Sequence, residues 1–478
     1  MSKNITSLEL ETKPVGKLLL QYALPSIIAM TASSLYNTVD SIFIGQCVGP
    51  LAISGLAITF PFMNLSAAFG AAVGVGASSY LSMKLGQHDY STAKAILGNA
   101  TTLNILIGLV FGAISLLFLD PILYFFGASD NTVVYAREYM IWILLGNVFT
   151  HLYFGMNALL RASSKPKMSM YATIFTVVLN TILDPLFIYV MDMGIKGAAI
   201  ATVISQFLAM CWQFKQFTNK DELLHLERGT FGIRSDIVKN IISIGISPFS
   251  LNVCACIVVI FINKGLMSYG GDLEVAAYGI GNKVGFIFCM FCMGVNQGMQ
   301  PIVGYNYGAQ KMDRVKKALY MSMTVATLIT AMATLVSFVC PELVCRMFTK
   351  DPELLRRSAA ALMINLSFFF VVGPQMVVVN FFQSIGKAKT SIFLSLSRQL
   401  LLLVPMIVVF PLFWGLNGVW YSLPASDVGS AVIAFLVFLS YRNKHLNTAQ
   451  GEGAIQEKEK SGPSINELYF WKKWRSRF

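Results

Sequence analysis

Two aspartates stand alone in long apolar stretches. Asp40 lies in SLYNTVDSIF (34–43) and is the only charged side chain between Lys17 and Lys84. Asp184 lies in NTILDPLFI (180–188) and is the only charge between Lys167 and Asp192. A charge at the centre of a membrane helix costs about 2.5–3.5 kcal/mol on insertion scales, so each must serve structure or function. Tyr36, Asn37 and Asp40 are spaced to share a helix face, as are Asn180 and Asp184. Pro185 removes a backbone hydrogen bond and is expected to bend the helix beside the second acid. At 1.5 Å per residue, Asp40, Asp184 and Thr202 fall about 8, 10 and 12 Å from the same predicted membrane edge. Two carboxylates this close do not both ionise readily in low dielectric, so one should hold a proton near neutral pH and could load and release H+. The same oxygens of Asp40, Asn180, Asp184 and Thr202 could instead surround Na+, a hard cation that favours oxygen ligands. A third reading makes the aspartates braces of bent helices.

The elements that position these groups are membrane helices. Of 478 residues 55% are hydrophobic and 13% charged, against about 25% charged in soluble domains. Twelve segments between 17 and 441 are apolar enough to cross a hydrocarbon core, which takes about 20 residues each. The fold class is an all-α membrane protein with twelve transmembrane helices. The first span lacks a small-residue cleavage site after a short apolar core and does not read as a removable signal. The net charge of +12 is spread as a membrane protein requires. With the N-terminus inside, 28 of the 36 lysines and arginines fall in the seven cytoplasmic regions, so both termini are expected on the cytoplasmic side. Nucleic acid is not needed to explain the charge. The eight cysteines read as small buried residues, with a Cys340–Cys345 disulfide as an option. No organic cofactor and no resident metal is expected, only H+ or Na+ at the acids. Intramembrane protease and prenyltransferase motifs are absent, which argues against an enzyme.

The chain repeats itself. YALPSII (22–28) pairs with GISPFSL (245–251), and LGQHDYSTAKA (85–95) with YGAQKMDRVKKA (307–318). SSKPKMS (163–169) pairs with IGKAKTS (385–391), and GIKGAA (194–199) with GLNGVW (415–420). All four pairs keep nearly the same offset, close to half the chain. Six spans per unit make the repeats parallel, a transporter pattern that places binding between or within the halves. The expected organisation is an N-terminal lobe (1–214), a cytoplasmic linker (215–239), a C-terminal lobe (240–442) and a disordered cytoplasmic tail (443–478). The tail ends in LYFWKKWRSRF, a mix suited to a membrane surface.

The sequence resembles the MATE (multidrug and toxic compound extrusion) family, in particular its MepA-like bacterial branch. The resemblance rests on Pro25 with YNTVDSIFIG (36–45), RASSKPK (161–167), NTILDPLFI (180–188) and GIKGAAIAT (194–202). In the second half it rests on YGIGNKVG (278–285), NQGMQPIVGYNYGA (296–309) and Gly386-Lys387, and it covers roughly residues 15–442. It implies a V-shaped antiporter, working as a monomer, that exports amphipathic and often cationic small molecules against H+ or Na+. It also implies a first-lobe cation site at the positions of Asp40, Asn180, Asp184 and Thr202, with Tyr36 and Asn37 beside them. A lipid-linked saccharide flippase of the broader superfamily is the alternative.

The second half departs from the first. Shifted by the repeat offset, Asp40 falls on Ile262 or Asn263 and Asp184 near Met406, and 358–386 offers no acid. The second-lobe acids found in some branches therefore have no counterpart here. Lys283 and Asp427 are instead predicted about 15–18 Å from the outer edge and, as opposite charges at one depth, are read as a pair. Arg398 and Lys264 are read as snorkelling toward the edges. Met63, Phe154, Phe175, Gln297, Gln300 and Gln375, along with Phe62, Met290 and Met299, are candidates to line a substrate cavity, since thioethers and aromatic faces suit varied cations.

Overall fold

The computed structural model describes the backbone of residues 5–47 and 50–446 and the side chains of 9–34, 43–44, 52, 54–227 and 229–444. The side chains of Tyr36, Asn37 and Asp40, and the tail from 447 onward, lie outside that range. The described residues are helical and form no strand. Without water in the hydrocarbon core, a spanning chain must satisfy its backbone internally, and helices do so segment by segment.

A short helix α1 (Ile5–Thr12) precedes α2 (Val15–Cys47), α3 (Pro50–Gly86), α4 (Tyr90–Leu117) and α5 (Leu119–Phe125). Then come α6 (Val133–Leu145), α7 (Asn147–Ala162), α8 (Pro166–Pro185) and α9 (Gly194–Lys215). The second half comprises α10 (Ser235–Gly270), α11 (Asp272–Gly308), α12 (Met312–Val339) and α13 (Pro341–Arg346), then α14 (Pro352–Asn365), α15 (Val372–Ser384), α16 (Ala388–Leu396) and α17 (Val404–Tyr441). Among the described residues nine helical stretches are long and apolar enough to cross a membrane, and two bent pairs, α6–α7 and α14–α15, raise this to eleven. The longest stretch, Ala388–Lys444, runs 57 residues and is broken at Gly415, where φ is 54° and ψ −132°. That break yields the twelfth span. Among the described residues, those up to Ile433 form one compact unit and those from Ala434 onward form a second.

The duplication is written into the backbone. His88 and Gln310 have φ of 58° and 57°, Ser164 and Gly386 of 63° and 75°, and Gly194 and Gly415 of 58° and 54°. Each pair is separated by the offset of the sequence repeat. Left-handed conformations are rare for residues other than glycine, so their recurrence at His88, Ser164 and Gln310 marks the same turns built twice. The fourth span of each half is bent, by 57° at α6–α7 and 43° at α14–α15. The fifth span of each half contains a π-helical turn, Leu186–Val190 after α8 and Ser397–Leu403 after α16.

The halves meet near the end of the bundle that carries the basic loops. A Cβ at Gly86 would lie 1.9 Å from the Tyr305 carbonyl oxygen, and one at Gly308 would lie 2.1 Å from that of Met83. In the repeat Gly86 corresponds to Gly308 and Met83 to Tyr305, so each contact maps onto the other. This part of the interface is self-complementary, as in a two-fold dimer. Gln300 crosses it, donating to Ser79 Oγ at 2.6 Å and to the Val75 carbonyl at 3.3 Å. Helix α1 straps the same end: Lys311 donates to Glu11 at 2.6 Å, and Arg314 donates to the Leu10 and Lys13 carbonyls at 3.0 and 2.6 Å. The bond from Lys311 holds the Glu11 carboxyl below the usual carboxylate range. The segment joining the halves is docked on α4, where Asn99 donates to the carbonyls of Thr230 and Gly232 and accepts from Arg234 N. Cys340 and Cys345 are free thiols, not a disulfide.

Candidate functional site

Helix α8 buries one polar face along its length: Ser169, Thr173, Thr176, Asn180 and Asp184. The steps of four, three, four and four residues stack these side chains on a single stripe. Near the basic end, Arg161 donates to Ser169 Oγ at 3.0 Å, and Asn157 donates to Thr173 Oγ1 at 3.0 Å. At the opposite end the Asn180 amide donates to Asp184 Oδ1 at 3.2 Å and to Thr202 Oγ1 of α9 at 3.3 Å. Asp184, Asn180 and Thr202 are 0%, 1% and 4% exposed.

Local sequence explains this geometry. Pro185 cannot donate the backbone bond that would continue α8, and the π turn Leu186–Val190 follows it. A π turn places an extra residue in the ladder and often marks a functional site. Gly194 then turns the chain in the left-handed region, and α9 returns alongside α8 to bring Thr202 opposite Asn180. The sequence singles out Asn180, Asp184 and Thr202, and the structure brings the three together. Tyr36, Asn37 and Asp40 lie on α2, which packs against α8, but their side chains are outside the described residues. Ser169, Thr173, Thr176, Asn157 and Arg161 escape the sequence reading. Their signal is the polar period on α8, hidden because hydroxyls on a membrane helix usually bond back to their own backbone, as Thr176 does to Ala172 O at 2.9 Å.

In the second half Asp427 of α17 pairs with Arg398, whose Nε donates to Oδ1 at 2.8 Å. The expected pairing with Lys283 is not formed. Lys283 is exposed, whereas Arg398, expected to snorkel, reaches inward. Equal depth set the expectation, but depth does not say which way a helix faces. The π turn Ser397–Leu403 begins one residue before Arg398 and shifts the helical phase there. A second buried acid, Glu274 of α11, binds Arg357 at 2.9 Å and the Trp420 indole at 3.1 Å.

A family model for MatE matches residues 25–186 and 246–409. The chain belongs to the MATE family. The two matched stretches are the two halves of the repeat. Multidrug export protein MepA of Staphylococcus haemolyticus is 26% identical over 434 residues, covering 91% of this chain and 95% of that protein. The Staphylococcus aureus MepA is also 26% identical, over 436 residues, with 91% and 96% covered. Among solved structures, the MATE multidrug transporter DinF-BH is 34% identical with a TM-score of 0.84, covering 91% of this chain and 97% of that one. An outward-facing MATE transporter of the MOP superfamily shares the fold at 23% identity and a TM-score of 0.87, with 94% and 99% covered.

Within this MATE fold the six cavity candidates do not gather. Met63 packs on the core cluster around Phe62 and Tyr139, and Phe154 on a separate cluster around Leu152 and Met210. Phe175 is exposed on α8 and Gln375 is buried on α15. Gln297 and Gln300 face the first half, Gln297 toward Met30 Sδ at 3.5 Å. Of the additional candidates, Met299 is fully buried. A cavity of about 540 Å³ lies between α3, α4 and α5, lined by Phe62, Phe69, Phe111, Val110 and Ile122 among others. It contains none of the six, and only Phe62 was anticipated.

Proposed function

We propose that this MATE protein is a secondary antiporter that exports amphipathic, cationic small molecules in exchange for H+ or Na+, coupled through the acidic site of the first half. The observation that carries the reading is the Asn180–Asp184–Thr202 cluster, buried between α8 and α9 beside a proline and a π turn. A carboxylate in that setting gains from a bound cation, and loading or releasing it changes how the surrounding helices balance. One charge crossing the potential supplies about 2.3 kcal/mol per 100 mV, enough to drive export. Membership of the family and the multidrug exporters among its relatives support efflux over an enzymatic role. The halves act as the two lobes of the carrier. The basic loops face the cytoplasm of a bacterial inner membrane, and the contacts at Gly86 and Gly308 close that side. Asp40 on α2 is proposed as the second carboxylate of the site, with Tyr36 and Asn37 as its neighbours.

The test is efflux of a fluorescent cationic dye from energised cells at matched expression, with the proton and sodium gradients collapsed separately. Asp184→Asn and Asp40→Asn should abolish gradient-driven efflux, and wild-type efflux should follow one gradient. Full activity in both variants would refute the site.

A further inference from the structure

We infer that the second half contains a cation site between the same two spans as the acidic cluster of the first, about one helical turn nearer the basic end, and that the chain's own Arg398 guanidinium occupies it permanently. Carried back by the repeat offset, Asp427 falls on Ser205 or Gln206 of α9 and Arg398 on Thr176 or Val177 of α8. The ion pair therefore joins the same two helices of the repeat that Asn180 and Thr202 join in the first half. In each half the fifth span carries a π turn at its polar contact, with Arg398 inside the turn and Asp184 just before it. The difference lies in what meets the acid. Asp184 meets the neutral Asn180 amide, and Asp427 meets a guanidinium.

Guanidinium stays protonated under all physiological conditions and carries five donors. It can neutralise Asp427 but cannot leave the site or give up a proton, so the second half holds its cation as a fixed part of the fold. The contact uses only Nε among the bonds described, and 26% of the Arg398 side chain is exposed while Asp427 is 8% exposed. Removing the arginine side chain would thus leave a buried carboxylate next to a space that a small cation can reach. The comparison with the first half rests on the proposed reading of Asp184, whereas the Arg398–Asp427 contact and its test do not depend on which ion drives transport.

The experiment is thermal unfolding of the purified full-length protein in detergent, at constant ionic strength, with methylguanidinium or choline as the cation at low millimolar concentration. Wild type should respond identically to both. Arg398→Ala should melt roughly 5 °C lower in choline and recover much of that loss in methylguanidinium. The double variant Arg398→Ala/Asp427→Asn should melt above the single variant and ignore methylguanidinium, since no carboxylate remains to be neutralised. Arg398→Lys, which keeps the charge, should melt near wild type and guards against a misfolded alanine variant. The inference is overturned if Arg398→Ala is as stable as wild type, if methylguanidinium does not restore it, or if the response persists without Asp427.

Discussion

The fifth and sixth spans of each half hold an aspartate away from water, and the two halves give it different partners. In the first half Asp184 accepts from the Asn180 amide, which also donates to the Thr202 hydroxyl, at one end of a polar stripe that runs along α8 to Arg161. In the second half Asp427 is tied directly to Arg398. One scaffold, duplicated with the same turns, bends and π segments, thus offers an acid bonded to neutral groups, proposed above to exchange a cation, and an acid paired with a fixed guanidinium. Duplication preserved the backbone geometry while the side chains diverged.

The largest effect should come from Asp184. Asp184→Asn is expected to drop dye efflux to background while leaving the melting temperature within a few degrees of wild type, because a neutral isostere removes the charge without opening a cavity. If Asp427→Asn abolished efflux equally and without loss of stability, the contrast between the halves would fail.

Next is Glu274, the fully bonded acid of the second half. Glu274→Ala leaves the Trp420 indole without its acceptor and Arg357 with Glu353 alone and should cost about 1–3 kcal/mol, since a buried donor stripped of its partner is expensive. Denaturation in mixed micelles would measure it. A loss of stability with dye export preserved in the surviving protein would mark Glu274 as structural.

The self-complementary interface makes a paired prediction. Gly86→Ala and Gly308→Ala each push a methyl into a carbonyl across the halves and should each cost about 1–3 kcal/mol by overpacking. Similar losses would confirm that the contacts are equivalent, and a loss at one site alone would break the symmetry.

Smaller still is Asp89, which caps α4 by accepting from Thr92 N at 3.1 Å. Its carboxyl is lowered to about 2, chiefly by the bond with Thr92. The folded value lies below the unfolded one, near 4, so its contribution is complete above about pH 4 and fades as the pH falls toward 2. Asp89→Ala should cost about 1 kcal/mol at neutral pH and progressively less in acid. Lys283→Gln, at an exposed side chain with no part in the Asp427 pair, should lie within about 0.5 kcal/mol of wild type.

Much of this protein is readable without coordinates because the bilayer restricts what a chain can do. Apolar runs of spanning length can only be helices, so the twelve spans follow from hydropathy, with the break at Gly415 already flagged by its match to Gly194. The constant offset between matched segments announces the repeat, and the rarity of charge points to Asp184 and, through i, i+4 spacing, to Asn180. Thr202 is reached by depth alone, and that reasoning works because α9 returns directly beside α8.

The same reasoning fails for Lys283 and Asp427. Distance along the membrane normal leaves rotation about each helix axis undetermined, and a π turn shifts that rotation by an amount no hydrophobic pattern records. Only packing decided that Arg398 faces Asp427, that Gln300 locks the halves together instead of facing a cavity, and that α1 straps the basic end. Sequence sets which groups lie at a given depth, since rise per residue is fixed. Tertiary structure decides which of them meet, since that depends on helix phase and on how closely two backbones can approach.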